Sequence, residues 1–307
     1  MKKVSVIIPV YNEVGNISVV AEAVSHVMEP LPYDYHIIFI DDGSDDGTLA
    51  FLKKLTATQP HLGYISLSRN FGHQNALKAG FDMSDADAVI SMDGDMQHPP
   101  AVIPALLALW EEGNDIVYTV RRDHMEIPAM KRKTSDMFYS VLNRLSDIEL
   151  EKGTADFRLL DRKAVDVLRE IKEYDLFWRG LVKWIGFKQV SLEYDPAERI
   201  SGKSKFTYRK MMELALKGIT SFSTKPLTFA MYLGFFCALI SFLYFPYALI
   251  SYFSGHAISG WASVIVTIAF FGGVQLMILG IIGMYLGKLF MQSKQRPHYI
   301  ISESKLL

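Results

Sequence analysis

A single cysteine, Cys237, stands in 307 residues. One thiol cannot build an internal disulfide framework or a thiolate zinc site, and it fits a cytoplasmic setting. Net charge is equally scarce: 32 Lys and Arg against 33 Asp and Glu leave a formal charge of -1. That balance gives no reason to expect nucleic acid as a partner. No Gly-x-x-x-x-Gly-Lys-[Ser/Thr] run occurs, which disfavours a P-loop nucleotidase, and no glycine-rich dinucleotide fingerprint follows the first apolar segment. A nucleotide bound here needs carboxylates and a metal to handle its phosphates. The opening MKKVSVIIPVYNE is too short in its apolar part for a signal peptide; the run stops at Pro9, turns polar at Asn12 and reads as a first strand.

Charge is missing altogether from Leu227 to Phe253 and from Trp261 to Gly287. Each run is long enough to cross a hydrocarbon core of roughly 30 Å as a helix. Tyr232, Tyr244, Tyr247, Tyr252 and Trp261 offer interfacial anchors. The connection from Ser254 to Gly260 carries no Lys or Arg, whereas Lys217, Lys225, Lys288, Lys294 and Arg296 flank the outer ends. The positive-inside rule then places both termini and the soluble part in the cytoplasm. Between Tyr208 and Ile219 apolar residues at 211, 212, 215, 216 and 219 share one helical face, so an amphipathic helix lies in the membrane interface or packs on the soluble domain. The expected organisation is a soluble domain over 1–206, an amphipathic linker over 207–225, and a membrane anchor over 226–307. The anchor comprises transmembrane helices at about 227–253 and 261–288 and a cytoplasmic tail.

The soluble part alternates apolar strands with helices. Strands are expected at Val4–Val10, His36–Ile40, Gly63–Leu67, Ala88–Met92 and Asp115–Tyr118, and helices at about 16–28, 47–58, 75–84 and 100–112. This order predicts an α/β fold with a parallel, doubly wound sheet, in which ligands bind beyond the carboxyl ends of the strands. PVYNE, DDGSDDGT, SRNFG and DGDMQ all fall at those ends. Four polar clusters on one sheet edge make a site.

In SMDGDMQHPP, Asp93, Asp95 and Gln97 alternate, and alternate residues of an extended segment point the same way. Their oxygens suit Mg2+ or Mn2+, ions that bridge a protein carboxylate to substrate phosphates; a solvated turn or a helix cap is the competing reading. His98 is a further ligand or a polar loop residue. Asp41 and Asp42 are neighbours on a strand, so only one of them can address a shared pocket. That carboxylate can accept hydrogen bonds from a nucleobase imide or a ribose hydroxyl. Tyr11 can stack on a base, and Glu13 is a ligand contact or a first-turn helix carboxylate.

VSVIIPVYNE, IDDGSDDGT, SLSRNFGHQNALKAG and DGDMQHPP resemble the motifs of the family-two glycosyltransferases with a GT-A fold. TADFRLLDRKAV, FWRGLVKWIG, ERISGKSKF and ITSFSTKPL narrow the resemblance to polyprenyl-phosphate glycosyltransferases, bactoprenol glucosyltransferases above all, with dolichyl-phosphate mannosyltransferase a related member. The resemblance covers nearly the whole chain. It implies a Rossmann-like, mostly parallel sheet flanked by helices, with a C-terminal two-helix transmembrane hairpin. It implies nucleotide-sugar contacts at Pro9, Tyr11, Glu13, Asp42, Asp93 and Gly94, and a metal on Asp93, Asp95 and Gln97. Relatives often carry a larger residue at the position of Gly94. Arg199, Ser204 and Lys205 match a phosphate-binding motif, and Arg121 or Arg122 with Lys131 or Arg132 are candidates for the lipid phosphate. Asp156 matches the catalytic carboxylate, with Asp95 as its partner at the metal.

The implied reaction is inverting transfer of a hexose, from UDP-glucose as first choice, to undecaprenyl phosphate, giving a β-linked lipid phosphate sugar for cell-envelope glycan such as lipopolysaccharide. UDP-galactose, an aminosugar nucleotide and GDP-mannose stay open as donors. The implied location is the bacterial inner membrane, multi-pass, with self-association up to a tetramer. A processive polysaccharide synthase is disfavoured, because FWRG replaces the usual Gln-x-x-Arg-Trp motif and two spans are few for a pore. A non-enzymatic membrane scaffold is disfavoured by the retained acidic motif.

Overall fold

The strand KVSVIIPV is apolar on both faces, which suits a strand covered by helices on both sides. The computed structural model describes residues 1–122, 151, 153–197, 218–254 and 260–306. The chain begins β1 (Lys3–Val10), α1 (Ile17–Met28), β2 (Asp34–Asp41), α2 (Thr48–Thr58), β3 (Leu62–Leu67), α3 (His73–Met83) and β4 (Ala88–Ser91). A short 3-10 turn at Pro100–Val102 leads into α4 (Ile103–Glu111), followed by β5 (Ile116–Arg121). These are the elements expected from the sequence. Boundaries shift by up to three residues: β5 runs on to Arg121, β2 starts at Asp34, α3 begins at His73 after Gly72 (φ 94°), and Pro100 and Pro104 split the fourth helix into a 3-10 turn and α4.

Elements not assigned from the sequence follow: β6 (Thr154–Asp161), α5 (Arg162–Glu170), α6 (Trp178–Trp184) and β7 (Gln189–Tyr194). Then come α7 (Lys225–Phe253), α8 (Trp261–Ser293) and β8 (Ile301–Lys305). One sheet of eight strands runs in the order β7-β5-β6-β4-β1-β2-β3-β8. β1 pairs in parallel with β2 and β4, β2 with β3, and β5 with β7, whereas β6 is antiparallel to β4 and β5, and β8 is antiparallel to β3.

Side-chain alternation along β1 sends Val4, Val6, Ile8 and Val10 into one core with α1 and α4, and Ile7 into a second core with α3, α5 and α6. Each fully buried Ile, Leu or Phe contributes roughly 1.5–3 kcal/mol relative to exposure. Two cores, one per sheet face, hold the ends of β1, β2 and β4 at a common edge, and the site lies there.

α7 and α8 are apolar and pack on each other. Phe229, Tyr232, Phe235 and Phe236 of α7 and Val266, Ile268, Leu276 and Leu286 of α8 are all more than half exposed. Among the described residues, Ser263–Ser293 is the one helix long and apolar enough to cross a membrane, with a mean hydropathy of 2.4, and no part of its apolar window is buried in protein. The described side chains of α7 form a shorter apolar helix, Lys225–Ile240. Of the expected amphipathic linker, residues 207–217 lie outside the described residues, and 218–222 are helical. The far end of α8 docks on the soluble domain. Lys288 pairs with Asp175 at 3.2 Å and meets the Ser221 hydroxyl at 3.3 Å, and the Gln292 amide donates to the Lys172 carbonyl at 2.6 Å. The Tyr299 hydroxyl then donates to Asp82 at 3.0 Å, and β8 closes the sheet.

Candidate active site

At the end of β1 the backbone turns at Asn12, which has a left-handed φ of 55°. Its side chain exchanges hydrogen bonds with Asp45 at 2.7 and 3.0 Å, which fixes the turn against the loop after β2. The Glu13 carboxylate accepts from the Asn16 amide at 2.6 Å and so also serves the start of α1. At the end of β2 the two adjacent carboxylates diverge, as strand geometry requires. Asp41 accepts from the Ser44 N–H at 3.1 Å and the Ser66 hydroxyl at 3.0 Å, inside the fold. Asp42 accepts from the N–H groups of Phe71 and Gly72 at 2.7 and 2.9 Å and lines the cleft. Burial raises its pKa, more than those two bonds and nearby His73 lower it. Gly43 makes the turn possible: its φ is +70°, and a Cβ there would lie 2.3 Å from the carbonyl carbon of Arg69.

A cleft of about 340 Å³ opens on this edge, lined among others by Pro9, Tyr11, Glu13, Asp42, His73, Asp93, Gly94 and Asp95. A Cβ on Gly94 would lie 3.0 Å from Val10 Cγ1, so this loop presses close on β1. The extended zigzag expected over 93–97 is broken by a turn at Gly94 and Asp95. Met96 turns left-handed (φ 63°), and the Asp95 carboxylate accepts the Gln97 N–H at 3.1 Å. Gln97 is consequently not among the residues lining the cleft. Among the described residues no three His, Cys, Asp or Glu side chains converge as a closed metal cage. Two carboxylates on an open cleft fit a hard divalent ion that takes its other oxygens from water and substrate phosphate.

Asp156 sits on β6 beside this loop, and the Ser91 hydroxyl of β4 donates to its carbonyl at 2.7 Å. Its carboxylate pairs with Arg158 at 2.8 Å and receives two bonds of 3.2 Å from Arg179, the second residue of α6. Burial alone would raise its pKa, but the Arg179 and Arg158 guanidiniums outweigh that and hold the carboxyl well below the usual carboxylate range. His73 reaches towards both acids, 3.5 Å from Asp93 and 3.9 Å from Asp156.

His73, Arg158 and Arg179 are site residues with no role assigned from the sequence. The signals for them were the motif SRNFGHQ, the i, i+2 spacing of Asp156 and Arg158 on one strand face, and the arginine of FWRG. Of the two neighbouring arginines at the end of β5, Arg121 turns inward, donating to the Tyr194 hydroxyl at 2.9 Å, and Arg122 turns to Glu193 and Asp195 on the surface. Lys131, Arg132, Arg199, Ser204 and Lys205 lie outside the described residues.

The profile of glycosyl transferase family 2 matches residues 5–169, more than half of the chain. The chain belongs to that family. It is therefore a glycosyltransferase by descent, and the acidic cleft lies within the matched span. It is 41% identical over 304 residues to the bactoprenol glucosyl transferase of Shigella phage SfV, covering 99% of both chains. It is 40% identical over 301 residues to the uncharacterized glycosyltransferase YkcC of Bacillus subtilis, covering 98% of this chain and 93% of that one. Among solved structures, the mannosyltransferase PcManGT of Pyrobaculum calidifontis, in complex with GDP-Man and Mn2+, shares the fold with a TM-score of 0.50 at 14% identity, covering 96% of this chain and 86% of that one.

Proposed function

We propose that this family-two glycosyltransferase moves a hexose, glucose from UDP-glucose first among the candidates, onto undecaprenyl phosphate at the cytoplasmic face of a bacterial inner membrane, with inversion at the anomeric carbon. The observation that carries the reading is the juxtaposition at one sheet edge of Asp93 and Asp95 with the Arg158–Asp156–Arg179 cluster, in a chain whose apolar α8 docks on the same domain. Full-length similarity to bactoprenol glucosyl transferases supports the acceptor class.

A lipid phosphate is already an anion at neutral pH, so its oxygen has little need of a strong general base. The harder task is bringing it up to a nucleotide diphosphate. Mg2+ or Mn2+ held by Asp93 and Asp95, with Gln97 beside them, would offset that repulsion and stabilise the departing diphosphate. Pro9, Tyr11, Glu13 and Asp42 form the wall for the nucleotide. Asp156, kept ionised by two arginines, is suited to orient groups and to stabilise positive charge on the sugar rather than to shuttle a proton. Arg121, Arg132, Arg199, Ser204 and Lys205 are assigned to phosphate.

Parity supports a two-span reading. Phe222, just before α7, packs on Phe177 of the soluble domain, and β8, just after α8, pairs with β3 of the same domain. An excursion that leaves from and returns to one side crosses a bilayer an even number of times. If α8 spans, α7 spans as well. The lack of Lys and Arg from 254 to 260 favours the outside for that turn.

The test is incubation of the full-length protein in membranes with labelled UDP-glucose and undecaprenyl phosphate, followed by lipid extraction. Label should enter the lipid fraction with a β linkage, stop with a chelator and return with Mn2+ or Mg2+. An α-linked product refutes single displacement, and label confined to the aqueous phase with every candidate donor refutes the acceptor.

A further inference from the structure

His98 is 1% exposed, in a loop whose neighbours face the cleft. The last ladder bond at the end of β4 runs from the Met92 N–H to the Ile7 carbonyl at 3.1 Å. The next amide along, that of Asp93, has left the sheet and donates instead to His98 Nδ1 at 3.0 Å. A backbone amide can only donate, so Nδ1 carries no proton. A ring with one bare nitrogen is neutral, and its one proton resides on Nε2.

Two groups face that nitrogen: Asp93 Oδ2 at 3.6 Å and Arg121 Nη2 at 3.4 Å. At 3.6 Å the Asp93 oxygen lies beyond hydrogen-bond reach, so it is the Nδ1 bond to the main chain that ties the ring to Asp93. The ring is itself gripped, stacked on Phe157 with centroids 5.2 Å apart and planes at 16°, and met edge-on by Tyr194 at 6.1 Å. Phe157 follows Asp156 directly, so His98 spans from the acidic loop to the strand that carries the second carboxylate.

We infer that His98 is a positioning residue that locks Asp93 through its backbone N–H and sets it against the Asp156 strand, so that the Asp93 carboxylate meets a divalent cation in a fixed orientation. A buried histidine that merely fills the core also satisfies its ring nitrogens, so the two roles are separated by the metal affinity of variants that keep or lose the Nδ1 acceptor. The inference rests on the metal reading of the proposed function.

The experiment compares Asn and Gln at this position in the full-length protein. An Asn side chain places its oxygen where Nδ1 stood and can accept from the Asp93 N–H, whereas Gln places its amide near Nε2; both lose the ring. Mn2+ binding is measured directly, by the spin-resonance signal of free Mn2+, and melting temperature is measured without metal. The expected result is that His98→Gln weakens Mn2+ by about 10-fold or more, the usual effect of losing a group that orients a ligand, and that His98→Asn recovers most of the affinity at a similar melting temperature. His98→Phe, which keeps stacking without an acceptor, should behave as the Gln variant does; if it does not fold, the Asn and Gln pair decides. Equal Mn2+ affinity in the Asn and Gln variants overturns the inference, as does a fall in melting temperature with Mn2+ affinity unchanged. A wild-type protein that binds no Mn2+ refutes the metal reading, and the inference with it.

Discussion

Replacing Asp156 by Asn separates chemistry from architecture. Arg158 is 2% exposed, and its guanidinium lies 2.8 Å from the carboxylate. Removing one member of such a buried pair costs about 3–5 kcal/mol, chiefly because the remaining charge is stranded. Arg179 is about a third exposed and regains water, so little is added for it. Asn also keeps one acceptor oxygen, which places the loss toward the lower end. At about 2–4 °C per kcal/mol for a domain of about 150–250 residues, the melting temperature should fall by roughly 6–20 °C. Loss of glycosyl transfer in Asp156→Asn alone would therefore have two explanations. The double variant Asp156→Asn with Arg158→Met removes the stranded charge and should recover much of the stability, since apolar replacement of a buried pair is commonly neutral. Melting scans and lipid-extraction assays on the same samples check both. An unchanged melting temperature in the single variant refutes the buried-pair argument. Restored transfer in the double variant refutes a direct role for Asp156.

Gly43→Ala should cost at least about 1–2 kcal/mol for its left-handed backbone alone, with a Cβ lying 2.3 Å from the Arg69 backbone in addition. Titration calorimetry with UDP-glucose should show weaker binding, because Asp42 and the Phe71–Gly72 amides move; unchanged binding would count against that wall. The half-buried His298, next to the Tyr299 contact, has its pKa lowered by burial and by Lys78. Its unfolded pKa of about 6.5 exceeds the folded one, so the undocked tail gains the proton first. Stability is full above about pH 6.5 and falls as pH drops towards the folded pKa. Hydrogen exchange of the β8 amides, corrected for intrinsic rates, should rise between about pH 7.5 and 5.5, and His298→Gln should remove the rise.

Apolar runs made β1 to β5 legible, because strands covered on both faces carry little besides Val, Ile, Leu and Phe. The polar clusters that end those runs located the cleft for the same reason. β6 and β7 escaped because β6 enters between β4 and β5 against sequence order, and a pairing of that kind leaves no local pattern. β8, ISESK, is an edge strand whose charges mask its periodicity. Asp93 and Asp95 line one cleft, whereas the turn over 94–96, with its bond from the Gln97 amide to Asp95, is a local detail that alternation in the sequence does not carry. His98, open between ligand and loop polarity in the sequence, takes its meaning from Phe157 and Tyr194, more than 50 residues away in the chain.

The return of the chain to β3 has a consequence for assembly. β3 is complete by residue 67, but its outer edge waits for residues 301–305. Both apolar helices are synthesised in the interval, so that edge stays open until they have left the ribosome and found their place. Once β8 is seated, the polypeptide forms a loop closed by strand pairing. A single cut between α7 and α8 would then release nothing: one piece stays joined through the peptide chain and the other is held by β8.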